Sequence, residues 1–128
     1  MDWVAKILCS FLFGAMSLFS FGFAVALLKQ MPLREARKVI RATFPMYYNV
    51  VIYTSLATSI VSFAINSYIS LIMAGVFLST IYARQILMPK INKATDSGNQ
   101  QKFKMLHSFS VLIQLLQIGF VGHGVLIL

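Results

Sequence analysis

Two segments of the chain are apolar over lengths that a water-soluble domain does not use. The first runs from Trp3 to Leu28 and the second from Met46 to Met88. As one helix the second would be about 65 Å long at 1.5 Å per residue, whereas a hydrocarbon core is about 30 Å thick. The pattern therefore predicts two spans that fold back at the central polar pair, Asn66-Ser67. A further apolar segment, 106–128, predicts a last span.

These segments predict an all-α, integral membrane four-helix bundle in a single domain, residues 1–128. The predicted spans are 3–28, 46–65, 68–88 and 106–128, and the predicted connecting loops are 29–45 and 89–105. Within the first connector, Leu33, Ile40 and Phe44 share one helical face while basic residues occupy another. That pattern is typical of a basic amphipathic helix lying at the membrane surface between spans one and two.

Composition and charge support a membrane location. The chain is 59% hydrophobic and 11% charged, against about 25% charged residues in soluble domains. Almost all of the net charge of +8 lies in the two connectors, which is the pattern of cytoplasmic loops. We therefore expect both connectors in the cytoplasm, both termini on the other side of a bacterial-type inner membrane, and no nucleic-acid partner. The first apolar segment exceeds the roughly 7–15 residues of a signal-peptide core, so we expect an uncleaved span.

The first connector also predicts contact with lipid. Anionic headgroups attract each Lys or Arg near the surface by about 1 kcal/mol. The alternative is that these charges only orient the protein in the membrane. The candidate headgroup residues are Arg34, Arg37, Lys38 and Arg41.

Helix four carries the most informative polar pattern. Its polar residues His107, Ser110, Gln114 and Gln117 fall on one helical face. Unsatisfied polar groups in lipid cost several kcal/mol, so we expect this face to meet the bundle interior or a partner. The sharper hypothesis is a polar site at the cytoplasmic mouth of the bundle, centred on His107; the simpler one is a histidine that pins helix ends together. The residues expected at the same depth include Tyr48, Tyr82 and Arg84.

Helix two carries a second polar stripe. It predicts either packing contacts between helices or a polar pathway, and the residue types alone do not separate these. The residues are Ser55, Thr58, Ser59, Ser62 and Asn66.

Catalytic and cofactor motifs are missing from the sequence. It contains no nucleophile elbow, phosphate loop or paired carboxylates, and no acid lies within a predicted span. His107 and His123 lie about 24 Å apart along one helix, so one chain cannot hold a haem or metal between them. We therefore predict no enzymatic activity, no catalytic residue, no metal and no cofactor.

Three segments together resemble a known family. They are Leu28 to Pro32, Phe44 to Tyr48, and Pro89 to Asp96 followed by Phe103 to Ser110. In their order and spacing they resemble the transmembrane protein 205 family, an uncharacterised group of four-span membrane proteins. The resemblance implies a four-helix membrane protein and leaves its activity open. It marks as family-motif residues Pro45, Tyr48, Pro89, His107 and Ser110.

Three functional hypotheses follow. The first is a non-enzymatic membrane protein that packs against anionic lipids, a second copy or a larger membrane complex, as an accessory subunit does. The second is a small transporter or channel with a polar route along the His107 face. The third is a haem or quinone redox protein that uses His107 in a dimer.

Overall fold

The computed structural model describes residues 2–128, and this part of the chain forms four long helices joined by short turns. Their bounds are α1, Asp2–Gln30; α2, Leu33–Ser62; α3, Ser67–Asp96; and α4, Gln100–Ile127. Each helix packs against the next, and α4 returns to pack against α1. The predicted all-α architecture is confirmed.

Three of the four helices, α1, α3 and α4, are long and apolar enough to cross a membrane. The exception is α2, although it has 30 residues. Its first third carries the basic residues of the predicted connector, and its remainder is rich in hydroxyl side chains. Both features lower its hydropathy relative to the other three helices.

The predicted connectors, 29–45 and 89–105, are helical over most of their length. The actual turns are residues 31–32 and 97–99. A proline inside a helix commonly kinks or ends it, yet α3 continues through Pro89 to Asp96. A π-helical turn, Ala83–Leu87, lies directly before it. We attribute the continuity to this wider turn, since a proline ring clashes with a carbonyl of the preceding turn in a regular α-helix.

The amphipathic segment 31–44 is helical from Leu33, as predicted, but it is not a separate interfacial helix. It runs through Pro45 into the rest of α2 without a break. A proline inside a helix removes one backbone hydrogen bond and favours a kink. The neighbouring aromatic side chains Phe44, Tyr47 and Tyr48 pack against the core, which holds both halves of α2 in line.

The turn predicted at Asn66-Ser67 is confirmed, since the chain turns at residues 63–66, and the turn at 97–99 consists of Ser, Gly and Asn, which favour turns. The side chain of Asn66 accepts from the backbone N–H groups of Tyr68 and Ile69 and so caps α3. Gly98 adopts a φ of 72°, a left-handed conformation that glycine takes without strain. Asn99 then caps α4 by accepting from the backbone of Lys102.

The core lies along the axis of the bundle and draws on all four helices. At the end away from the basic residues α4 approaches α1 closely, because a Cβ on Gly124 would lie 3.2 Å from the Cys9 sulfur. The fully buried apolar side chains of the core cluster are Cys9, Leu12, Met16, Val51, Ile69, Met73 and Val121.

Candidate functional site

A layer of polar and aromatic side chains joins α1, α2 and α4 towards the basic end of the bundle. Gln114 donates from Nε2 to the hydroxyl of Ser20 and, at 3.1 Å, to that of Tyr47. Ser20 lies in a second π-helical turn, Leu18–Phe23. In the same turn Phe19 stacks on Tyr47 with ring centroids 4.3 Å apart. One amide thus connects three helices at a depth where aromatic rings exclude solvent.

Tyr48 extends this layer towards the basic end. Its side chain is buried and lies near the hydroxyl of Ser110 on α4. Tyr48 also packs against Phe44, with ring centroids 5.5 Å apart. We name the set Ser20, Tyr47, Tyr48, Ser110 and Gln114 the polar layer.

A second amide, that of Gln117, joins α4 to α3. Its Nε2 donates to the hydroxyls of Ser79 at 2.7 Å and Thr80 at 3.0 Å. Both hydroxyls in turn donate to the carbonyl of Val76. Because the hydroxyl protons are already engaged, the amide N–H groups must face them. The carbonyl oxygen of Gln117 therefore points elsewhere and, within residues 2–128, accepts no hydrogen bond.

The side chain of Gln117 lines an outward-facing groove between α3 and α4. The groove has a volume of about 420 Å³, and its other lining residues are almost all apolar. Gly75 forms part of its wall, and a Cβ added there would meet no atom within 4 Å. Gln117 itself is 8% exposed. The groove is thus an apolar surface with a nearly buried amide at its base and space beside a glycine.

The structure separates the predicted site residues. It brings Tyr48, Ser110 and Gln114 together in the polar layer and places Gln117 next to α3. His107, which was the predicted centre, is exposed and stacks on Phe103 with ring centroids 5.4 Å apart. Tyr82 is also exposed, at 40%. Arg84 is partly buried and donates to the neighbouring side chain of Gln85.

The partners of the two glutamines were not among the predicted site residues. Ser20 and the adjacent pair Ser79 and Thr80 lie in strongly apolar segments, and Tyr47 opens a span beside Tyr48. The sequence gives little indication that these hydroxyls bind another helix, since a hydroxyl in a span commonly donates to a carbonyl of its own helix. They become hydrogen-bond partners because Gln114 and Gln117 lie opposite them on the facing helix.

The polar stripe of α2 serves packing. Ser59 and Ser70 exchange hydrogen bonds across α2 and α3: each hydroxyl donates to the other residue's carbonyl, at 2.9 and 2.8 Å. Ser55, Thr58 and Ser62 are fully buried. Thr58 donates to a carbonyl of its own helix at 2.7 Å. Small side chains of this kind let two helices approach closely in a membrane.

The basic surface at the start of α2 is only partly free. Arg34, Arg37 and Lys38 are exposed. Arg41 instead makes a two-pronged ion pair with Asp96 at the end of α3, with N–O distances of 2.7 and 2.9 Å. This pairing lowers the pKa of Asp96 below its ordinary value and raises that of Arg41. Arg41 therefore joins α2 to α3, a role that differs from the headgroup contact predicted for it.

The described residues offer little for redox or metal chemistry. Within residues 2–128 no three His, Cys, Asp or Glu side chains are grouped closely enough to hold a metal ion. His123 is exposed and packs edge-on against Tyr68, far along α4 from His107. What the arrangement can do is bind helices together through amides and hydroxyls, and present an apolar outer surface.

Three long apolar helices and an outer surface of exposed Leu, Ile and Phe side chains define an all-helical membrane protein. Residues 7–100 match the model of a family described as a domain of unknown function, DUF4149. This match covers more than half of the chain, and the protein belongs to that family. No curated protein and no solved structure matches the sequence significantly. The matched region includes α1 to α3, whereas Gln114 and Gln117 on α4 lie beyond it.

Proposed function

We propose that this protein is a non-enzymatic membrane protein that packs against another transmembrane protein, as an accessory subunit of a larger complex. The observation that carries the proposal is the groove between α3 and α4. It combines a small residue, Gly75, with a free acceptor on Gln117. Small residues and polar side chains are the features by which transmembrane helices associate. A partner helix with a hydroxyl or amide at this depth would satisfy Gln117.

The proposal includes a topology of four spans. α2 would cross with its apolar part, residues 46–62, because only four residues separate its end from the start of α3. Both basic turns would lie in the cytoplasm and both termini on the other side of a bacterial inner membrane. The segregation of charge supports this orientation. The resemblance to the transmembrane protein 205 family is compatible with it and is likewise a proposal.

The exposed basic residues of α2 complete the proposal. Arg34, Arg37 and Lys38 carry three positive charges on a helix that continues from the bundle. In this topology they lie beside the cytoplasmic headgroups, where anionic lipids attract them. Arg41 contributes indirectly, because its bond to Asp96 fixes this part of α2 against α3.

The test of the subunit contact is a matched pair of substitutions at open glycines. Gly75 faces the groove, whereas Gly14 lies on α1; neither has an atom within 4 Å of an added Cβ. Each would be changed to Leu, and site-specific photo-crosslinking from residue 71 in native membranes would record the contact. We expect Gly75→Leu to abolish the cross-linked product and Gly14→Leu to retain it. Equal products from both variants, or none from the unmodified chain, would contradict the proposal.

The same cross-link tests for a second copy of this chain, since its mass identifies the partner. The transporter and the dimeric haem or quinone protein remain alternatives with their own tests. His107 lies on the outer face of α4, so a route along it through the bundle interior lacks support. Solute flux into proteoliposomes would support the transporter hypothesis, and a Soret band in the purified protein would support the haem hypothesis.

A further inference from the structure

Arg84 is a charged residue inside an apolar helix. It lies 17 positions beyond the first residue of α3, Ser67, or about 26 Å along the helix axis. That is close to the thickness of a hydrocarbon core. If the proposed topology holds, on which this inference rests, Arg84 lies where the core meets the cytoplasmic headgroups. Long basic side chains at such positions extend towards the interface.

The guanidinium of Arg84 has little to bind within its own chain. Nη1 donates to the amide oxygen of Gln85 at 3.2 Å. Nε is fully buried and has no partner within residues 2–128. A guanidinium carries five N–H donors and keeps its charge at any physiological pH. Leaving such donors unpaired near an apolar core is costly.

The acids of the chain do not supply a counter-ion. The sequence has only three, Asp2, Glu35 and Asp96. The single ion pair within residues 2–128 joins Asp96 to Arg41. Glu35 lies in the first turn of α2, and Asp2 lies at the opposite end of the bundle. An anion from outside the chain is therefore the natural partner of Arg84.

We propose that Arg84 binds the phosphate group of an anionic phospholipid in the cytoplasmic leaflet. A guanidinium binds two phosphate oxygens at once, which an ammonium group does not do as well. A rotation of the side chain towards the headgroup gives Nε an oxygen as well. The π-helical turn Ala83–Leu87, which holds Arg84, changes the direction of its side chain relative to a regular helix. The lipid tails lie along the apolar outer surface of α3.

This site differs from the basic surface of α2. Arg34, Arg37 and Lys38 are exposed, and such residues attract headgroups without holding one lipid. Arg84 is partly buried, so its charge is less screened by salt. We therefore expect a lipid at Arg84 to survive purification and washing, and lipids at the α2 surface to exchange freely.

The experiment measures lipid retained by the full-length protein after washing in mild detergent, by native mass spectrometry. The protein is first equilibrated with phosphatidylglycerol, with phosphatidylcholine, or with phosphatidylglycerol plus inorganic phosphate. We expect retention of one phosphatidylglycerol at about five times the phosphatidylcholine level, the effect of one basic residue at an anionic surface. Inorganic phosphate should not displace it. Equal retention of the two lipids, or displacement by phosphate, would overturn the lipid site.

A matched pair of variants locates the site. Arg84→Gln and Lys90→Gln each remove one positive charge from α3, and Lys90 is exposed. We expect Arg84→Gln to lose the fivefold preference and Lys90→Gln to keep it. The opposite result, or a preference that survives in both, would overturn the assignment. If Arg84→Gln does not fold, the comparison of lipids on the unmodified protein still tests the proposal, because equal retention of the two lipids would overturn it.

The readout separates this inference from the proposed function. Gly75→Leu removes the proposed subunit contact and should leave lipid retention unchanged. Labelling that puts the basic turns outside the cytoplasm would contradict the topology while the retained lipid still identified a phosphate site. Conversely, a normal cross-link from residue 71 with no retained lipid contradicts only the Arg84 site.

Discussion

α3 is held in two different ways on its two sides. Towards α2, the contact is close and made by short side chains, with Ser59 and Ser70 exchanging hydrogen bonds across it. Towards α4, the contact depends on one long side chain, that of Gln117, which reaches Ser79 and Thr80. A groove of about 420 Å³ stays open beside it.

The difference shows what each residue type does in a membrane. Lipid tails are as apolar as leucine, so helices gain little from burying apolar surface against one another. Short hydroxyl side chains bring two backbones together and leave no space. A long amide bridges a wider gap, and the space beside it is available to another molecule. We infer that the α2–α3 side is structural and that the α3–α4 side is free for a partner.

The largest expected effect comes from filling the close contact. Ser70→Leu would place a bulky side chain where Ser70 is 8% exposed and would remove its bond to the Ser59 carbonyl. Overpacking of this kind costs about 1–3 kcal/mol. The measurement is the free energy of unfolding in mixed micelles titrated with SDS, followed by circular dichroism.

Gly75→Leu is the control for this prediction. It adds the same side chain to the same helix, but on the side where no atom lies within 4 Å. We expect its free energy of unfolding to stay within about 0.5 kcal/mol of the unmodified protein. A large loss for Gly75→Leu, or none for Ser70→Leu, would show that the two sides of α3 do not differ as described.

The next effect tests the amide bridge. Gln117→Leu removes both hydrogen bonds to α3, while Ser79 and Thr80 keep their bonds to the Val76 carbonyl. Interhelical hydrogen bonds in membranes contribute about 0.6 kcal/mol on average and about 1.7 at most. We expect a loss within that range, in the same unfolding assay. Gln117→Glu keeps the size of the side chain, and a greater loss than for Leu would indicate that the groove excludes charge.

A smaller effect concerns the exposed end of the α2–α3 contact, where Arg41 pairs with Asp96. Because the pair lowers the pKa of Asp96 from its ordinary 3.8, its contribution to stability is complete above that value. It is lost as the pH falls through the lowered pKa. Thermal unfolding between pH 7 and pH 2 should therefore show a small acid-dependent decrease that Asp96→Asn removes. An unchanged pH profile in Asp96→Asn would assign the decrease to other groups.

The sequence predicts the helical class and the turns well, because each depends on local residues. For the α2 stripe it leaves packing contacts and a polar pathway both open. Asn66 and Gly98 carry signals that act within a few positions of the chain. The continuity of α2 through Pro45 was not predictable in this way, since it depends on aromatic side chains packing against other helices. The partners of Gln114 and Gln117 likewise depend on how α4 is rotated against its neighbours, which periodicity within α4 does not determine.

The smallest expected effect concerns His107, on the outer face of α4. The helical wheel groups it with Gln114 and Gln117, yet the structure places it in solvent or lipid contact, stacked only on Phe103. His107→Ala should therefore change the free energy of unfolding by less than about 0.5 kcal/mol, whereas Gln114→Ala removes bonds to α1 and α2 and should cost more. Successive residues of α4 are rotated by 100°, so the polar residues from His107 to Gln117 spread over part of the helix circumference. Only those on the inner side contact the other helices. If His107→Ala lowered the free energy of unfolding as much as Gln114→Ala, His107 would belong to the bundle interior and would extend the polar layer into one continuous site.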